Sequence, residues 1–111
     1  MDCELMAQMG SRLIARRKQC RLTQEELAEK TGLTTQTIST AETGKKALRP
    51  ENIIKLCAAL EISADYLLMG RVTGEDTAVL HEKMSQLSPL QYRHLEEIIN
   101  NYVAALTEKD E

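Results

Sequence analysis

Gln24-Glu25-Glu26-Leu27-Ala28-Glu29-Lys30-Thr31-Gly32-Leu33-Thr34-Thr35-Gln36-Thr37-Ile38-Ser39-Thr40-Ala41-Glu42 reads as two short helices on either side of one tight turn. Thr23 stands just ahead and pairs with Glu26 in a Thr-x-x-Glu capping box, which opens a helix at Gln24. That helix runs to about Thr31 and turns Leu27 and Ala28 inward. Gly32 follows, where a left-handed backbone stops a helix at no steric cost. Thr34 caps the next helix, of about ten residues, with Ile38 and Ala41 on its inner face and Gly44 at its end. The pair crosses steeply: small Ala28 lets the backbones approach, and Leu27, Leu33 and Ile38 fill the angle between them.

Two short helices joined by a glycine-containing turn are the local signature of a helix-turn-helix. The outward face of the second helix is Thr34, Thr35, Gln36, Thr37, Ser39 and Thr40, with no charge and no large apolar side chain. A merely solvated helix favours Lys and Glu over Thr. Hydroxyls and one amide instead suit the reading of base edges, Gln for adenine and Thr methyls for thymine methyls.

Upstream, Leu13, Ile14 and Arg17 lie in a first helix that ends near Cys20. Met6 and Met9 continue its apolar face backwards, toward a start as early as Asp2, although Gly10 counts against that extension. Downstream, Pro50 at a first helical position starts a fourth helix, Pro50–Leu60, with Ile53, Leu56, Cys57 and Leu60 on one face. Ser63 caps a fifth, Ala64–Met69, stopped by Gly70. The expected organisation is a helix-turn-helix domain over 1–70, a hinge over 71–76 and a C-terminal helical segment over 77–111. Glu75–Gln86 reads as a sixth helix, with Leu80 and Met84, and Leu87 just past its end, on one stripe, and Ser88-Pro89 opens a last helix running to about Leu106.

Composition agrees with an all-α protein. The 111 residues include no Phe and no Trp, and only two Pro and five Gly. β-branched residues never alternate over a strand-length run, which excludes sandwiches, barrels and doubly wound sheets. No apolar stretch approaches the roughly 20 residues that span a bilayer. The N-terminus lacks the basic start and apolar run of a signal peptide. Cys3, Cys20 and Cys57 form no CxxC, so neither a disulfide framework nor a zinc site is indicated. The expectation is a soluble, cytoplasmic protein with no membrane contact. Enzyme chemistry has no foothold either: His81 and His94 lack metal-ligand spacing, Glu96 and Glu97 share no face with a base, and no glycine-rich phosphate loop exists. No cofactor is expected.

The formal net charge of −3 hides a division. Met1–Gly70 carries 10 basic and 9 acidic residues, whereas Arg71–Glu111 carries 4 and 8. The basic residues cluster at Arg12, Arg16, Arg17, Lys18 and Arg21, and again at Lys45, Lys46 and Arg49. Such clusters neutralise phosphates even on an acidic protein, because counterion release depends on local contacts. The plainer reading is a solvated helix face, and it is preferred for Arg12, Arg16 and Arg21, which lie behind the outward face described above.

The run from Gln24 to Lys45 resembles the helix-turn-helix of the Cro/phage-repressor (XRE) family. The likeness extends from about Ser11 to Gly70 and takes in Leu60-Glu61-Ile62-Ser63-Ala64-Asp65-Tyr66-Leu67-Leu68-Met69-Gly70, similar to the family's fifth-helix ending. The resemblance implies a five-helix lambda-repressor-like domain that binds double-stranded DNA, with the third helix in the major groove. It implies base contacts from Thr35, Gln36 and Thr40. Backbone contacts are implied for Gln24, Thr34, Thr37, Ser39, Thr43, Lys45 and Lys46, and a structural ion pair for Arg17 and Glu42. Thr43 stands where many members have Arg, which implies slightly weaker phosphate binding.

A regulator of this kind reads two half-sites as a C2 dimer with recognition helices about 34–36 Å apart. The last helix supplies the expected interface: Leu90, Leu95, Ile98, Ile99, Tyr102, Val103 and Leu106, an apolar face too wide to leave in water. The expected function is a dimeric transcription regulator, a repressor in preference to an activator. The alternative is a protein-interaction module, such as an antitoxin whose C-terminal helices hold a toxin or an antirepressor.

Overall fold

Thr23 ends an extended segment, its side chain accepts from the Glu26 N–H, and the Glu26 carboxylate accepts from the Thr23 N–H at 3.0 Å. That reciprocal cap starts α2, Gln24–Thr31, and Gly32 at φ 74° stops it. In this computed structural model, which describes residues 3–109, the other elements follow the same logic. They are α1 Cys3–Gln19, α3 Thr35–Glu42, α4 Pro50–Leu60, α5 Ala64–Met69, α6 Gly74–Met84 and α7 Pro89–Lys109. No strand occurs among the described residues. An extension of α1 to Asp2, and the outer ends of the expected ranges at residues 1–2 and 110–111, lie outside them.

The chain divides into two units, one ending at Thr77 and one beginning at Ala78, so the division falls inside α6. In the first unit Leu13, Leu27, Ile38, Leu56, Leu60 and Leu67 are fully buried, and every helix from α1 to α5 contributes at least one of them. Replacing such a leucine by alanine costs about 2–5 kcal/mol.

Three expectations need correction here. Gly10 does not stop α1, which runs back through it to Cys3, and its missing side chain is what lets α1 pack on α3. The residue is buried, and a Cβ there would collide with the carbonyl oxygens of Ala41, at 2.8 Å, and Glu42. Arg12 and Arg16 are not merely solvated. Arg12 Nη1 donates to the Leu67 carbonyl at 3.1 Å, and Arg16 Nε donates to the Leu60 carbonyl at 2.8 Å. Each guanidinium satisfies a carbonyl that a helix end leaves without an intrahelical partner. The third helix is eight residues long. It stops there because Gly44 takes a positive φ of 72° and the Lys45 N–H closes onto the Thr40 carbonyl at 3.0 Å.

The expected hinge is also shorter than the range 71–76. Only residues 71–73 lie between α5, with its Gly70 C-cap, and α6, which already begins at Gly74. At its other end α6 stops at Met84, because Gln86 and Leu87 tighten into i→i−3 bonds with Lys83 and Met84.

The second unit contains the rest of α6 and α7. Ser88 and Gln91 cap α7 reciprocally, with Ser88 N–H donating to Gln91 Oε1 at 2.9 Å and Gln91 N–H to Ser88 Oγ at 3.2 Å. No residue of α6 is buried. On α7, Leu95 is half-buried, while Ile98, Ile99, Tyr102, Val103 and Leu106 are exposed. Tyr92, Leu95, Ile99, Tyr102 and Leu106 recur at alternating spacings of three and four, the period of a two-helix seam. At about 100° per residue Leu90 falls roughly opposite Ile99, so helical geometry takes it off the stripe and puts Tyr92 on. No helix among the described residues is long and apolar enough to cross a membrane.

Candidate nucleic-acid interface

The face of interest is built on α3. Its buried side is Ile38, Ala41 and Glu42. At about 100° per residue Thr35, Ser39, Thr43, Gln36 and Thr40 fall within an arc of roughly 140° on the other side. Thr35 and Gln36 are exposed, and Ser39 and Thr40 half-exposed.

Hydrogen bonding then sorts these residues by what they still offer. Thr34 caps the helix by accepting from the Thr37 N–H at 3.1 Å, and the two hydroxyls lie 2.9 Å apart. Their polar atoms largely satisfy each other. The Thr40 hydroxyl donates back to the Gln36 and Thr37 carbonyls at 3.0 and 3.1 Å, and that of Thr43 to Ser39 and Thr40. A hydroxyl bonded in this way keeps a lone pair and a methyl group to present, but its proton is spent. Thr35, Gln36 and Ser39 make no side-chain hydrogen bond to the described residues. The donors open to a ligand are therefore the Gln36 amide and the hydroxyls of Thr35 and Ser39, while Thr40 presents a methyl and an acceptor.

Beneath this face sits an ionic clamp. Arg17 Nε donates to Glu42 Oε2 at 2.6 Å and Nη2 to Oε1 at 3.2 Å, while Nη1 holds the Leu22 carbonyl at 2.8 Å. Gln24 Nε2 donates to Glu42 Oε1 at 2.9 Å. Glu42 hydrogen bonding raises the Arg17 guanidinium above its ordinary range, against the pull of burial. The structure thus brings together Arg17, Gln24 and Glu42, which the resemblance put into two separate roles. One of the two amide N–H groups of Gln24 is taken by Glu42, which leaves the second, together with the backbone N–H at the start of α2, for a phosphate. Among the described residues no buried side-chain nitrogen or oxygen lacks a partner.

Lys45 and Lys46 follow α3 on exposed loop positions. A groove of about 480 Å³ runs beside the outward face, lined among others by Gln36, Thr40, Lys46, Arg49, Asn52 and Lys55. Arg49 was named in the sequence only as part of a basic cluster, and Asn52 and Lys55 were not singled out at all. Arg49 had a signal in its basic cluster; Asn52 and Lys55 had none, because only the packed fold brings α4 alongside α3.

Residues 13–67, lying within α1–α5, match the helix-turn-helix family model. The restriction-modification controller protein C.AhdI from Aeromonas hydrophila is 34% identical, with a TM-score of 0.54, over 56% of this chain and 94% of that one. The chain belongs to the XRE-type helix-turn-helix family. A second member, the P22 c2 repressor solved in complex with synthetic operator, is 38% identical over 57% of this chain and 96% of the other, with a TM-score of 0.55. Repressor protein C2 of Salmonella phage P22 is 36% identical over 70 residues, which are 63% of this chain and 32% of that repressor. The match thus spans about a third of that relative's length. The relatives with which this chain compares are a controller protein and a repressor.

Proposed function

We propose that this protein is a sequence-specific DNA-binding transcription regulator, a repressor, acting as a homodimer on a pseudo-palindromic operator. One observation carries the reading: an uncharged α3 face with open donors at Thr35, Gln36 and Ser39, flanked by Lys45, Lys46 and Arg49. Amide and hydroxyl groups read base edges in the major groove, and the flanking cations neutralise phosphates. Thr34, Thr37 and Thr43 approach the backbone from the edges of the same face. The operator complex of the P22 c2 repressor supports the docking mode. Repression by occlusion needs nothing beyond occupancy of a promoter.

Dimerisation follows from size. One helix-turn-helix buries too little surface for specific affinity at cellular salt. The α7 seam, with its exposed Ile99, Tyr102 and Leu106, supports a second copy as the partner that covers it. A different protein on that seam, such as a toxin, is the competing reading. Sedimentation equilibrium separates the two, because only the first gives a dimer from purified chain.

The test of DNA binding is selection from random duplex DNA at about 150 mM salt, where non-specific binding is weak. An inverted repeat with half-sites about one helical turn apart is the expected product. Gln36→Ala should relax preference at one base position by about 1–3 kcal/mol, with the fold intact by circular dichroism. An unchanged preference would remove Gln36 from the readout, and no enrichment by folded wild type would overturn the reading.

A further inference from the structure

The short connection between α5 and α6 is closed by one carboxylate. Asp76, in the first turn of α6, accepts from the Ser63 N–H at 2.8 Å and the Ser63 hydroxyl at 2.6 Å. It also accepts from the Thr73 N–H at 3.0 Å and the Thr73 hydroxyl at 3.1 Å. Ser63 is itself the N-cap of α5, accepting from the Tyr66 N–H at 3.0 Å, and it is buried. The network therefore runs Tyr66 to Ser63 to Asp76 to Thr73, joining the starts of two helices through Ser63 and Asp76, which are 13 residues apart in sequence. All four residues belong to the first unit, and α6 continues beyond that unit as the same helix.

A stretch such as Arg71-Val72-Thr73-Gly74 would, left alone, be a swivel. Here both of its ends are tied. Gly70 closes α5 in the left-handed conformation, the Arg71 N–H returns to the Asp65 carbonyl, and Asp76 holds Thr73 against Ser63. Four bonds to one ionised group are far more than a random linker supplies, and charge-assisted bonds of this kind are the strong ones.

We propose that Asp76 is a positioning residue: by clasping the start of α6 to the start of α5, it fixes the spacing at which two copies of this chain read their half-sites. The proposal rests on the dimeric reading above. Two half-sites are gripped together only if both recognition helices reach their grooves at once, and that gain is lost when the geometry forbids it. A swivelling connection tolerates several half-site separations; a clasped one tolerates fewer.

The experiment measures binding of the full chain to duplexes carrying the selected half-sites at their natural separation and with two base pairs inserted, which turns one half-site by about 70° relative to the other. Wild type should lose about 100-fold in affinity on insertion. Asp76→Ala should lose less than about tenfold, with unchanged binding to a duplex bearing one half-site and an unchanged dimer by sedimentation. Thr73→Ala leaves the α5 cap intact and should fall between the two, which keeps the test open should Asp76→Ala fail to fold. Full spacing discrimination in both variants overturns the proposal while leaving the dimer standing. A monomeric wild type overturns the dimeric reading first, and sedimentation reports that independently of any DNA result.

Discussion

In the first unit Leu13, Leu27, Ile38, Leu56, Leu60 and Leu67 have lost essentially all contact with water, whereas on α7 Ile98 keeps 64% of its surface exposed and Tyr102 66%. Both regions are helical and both are capped at their starts. The difference lies in what the apolar side chains find. Helices α1–α5 turn their faces on one another, and Gly10 and the two arginines remove the remaining obstacles to packing. Residues of α7 recur with a seam's spacing but find no comparable core in a single copy. Local sequence is enough to make a helix; only a matching surface makes it part of a folded body. The first unit is thus complete in one chain, whereas the second leaves the apolar side chains of its seam exposed.

The largest effect expected from breaking this contrast comes from the clamp beneath α3. Arg17→Ala leaves the Glu42 carboxylate, whose side chain is 3% exposed, without its cation. Stranding a buried charge costs about 3–5 kcal/mol. Since a domain of this size holds only about 5–15 kcal/mol, the first unit would sit near its unfolding threshold. Urea denaturation measures this directly. Replacing both partners, Arg17→Met with Glu42→Leu, should restore much of the loss; an Arg17→Ala midpoint like wild type would mean that the clamp contributes little to holding α1 on α3.

On the other side of the contrast, Ile99→Asp puts a charge in the centre of the α7 seam. In the proposed dimer, central interface residues contribute about 2 kcal/mol or more, so its dissociation constant should rise roughly 30-fold. The first unit should be unmoved, with a urea midpoint within about 0.5 kcal/mol of wild type when compared well above both dissociation constants. Sedimentation and denaturation on the same preparation give both numbers. Equal losses in both would deny that the regions are separable.

Legibility in the sequence follows the same line. Thr23, Gly32, Thr34, Pro50, Ser63 and Gly70 act on backbone within a few residues of themselves, so the starts and stops of α2, α4 and α5 could be read directly. The outward face of α3 could be read for the same reason, since period alone separates Ile38 and Ala41 from Thr35 and Gln36. What could not be read acts across distance. Arg12 and Arg16 meet their carbonyls 55 and 44 residues away, and Gly10 owes its role to the backbone of Ala41 and Glu42. The spent protons of Thr40 and Thr43 are local, yet they depend on a rotamer that residue type does not specify. Asp76 fell inside the expected hinge over 71–76 without being singled out; its meaning depends on Ser63, 13 residues earlier.

The smallest expected effect sharpens the boundary itself. Burial works against ionisation of Asp76, but the hydrogen bonds from Ser63 and Thr73 outweigh it and hold the carboxyl at about 2, below its usual 3.8. A carboxylate whose folded value is depressed adds stability above its unfolded value, and that contribution disappears as pH falls through the folded value. The Asp76 contribution should therefore be constant above about pH 4 and decline between about pH 4 and 2. Glu26, lowered by its hydrogen bonds with Thr23, adds a decline of the same sign and must be subtracted. Asp76→Asn provides the subtraction, because it leaves Glu26 in place. The stability difference between wild type and Asp76→Asn should be level at neutral pH and shrink on acidification toward pH 2. It should appear in the unfolding of the first unit, where Ser63, Thr73 and Asp76 all lie. A difference that stays level down to pH 2 would mean that the charge on Asp76 does not hold the clasp, and the start of α6 would then be free to swivel.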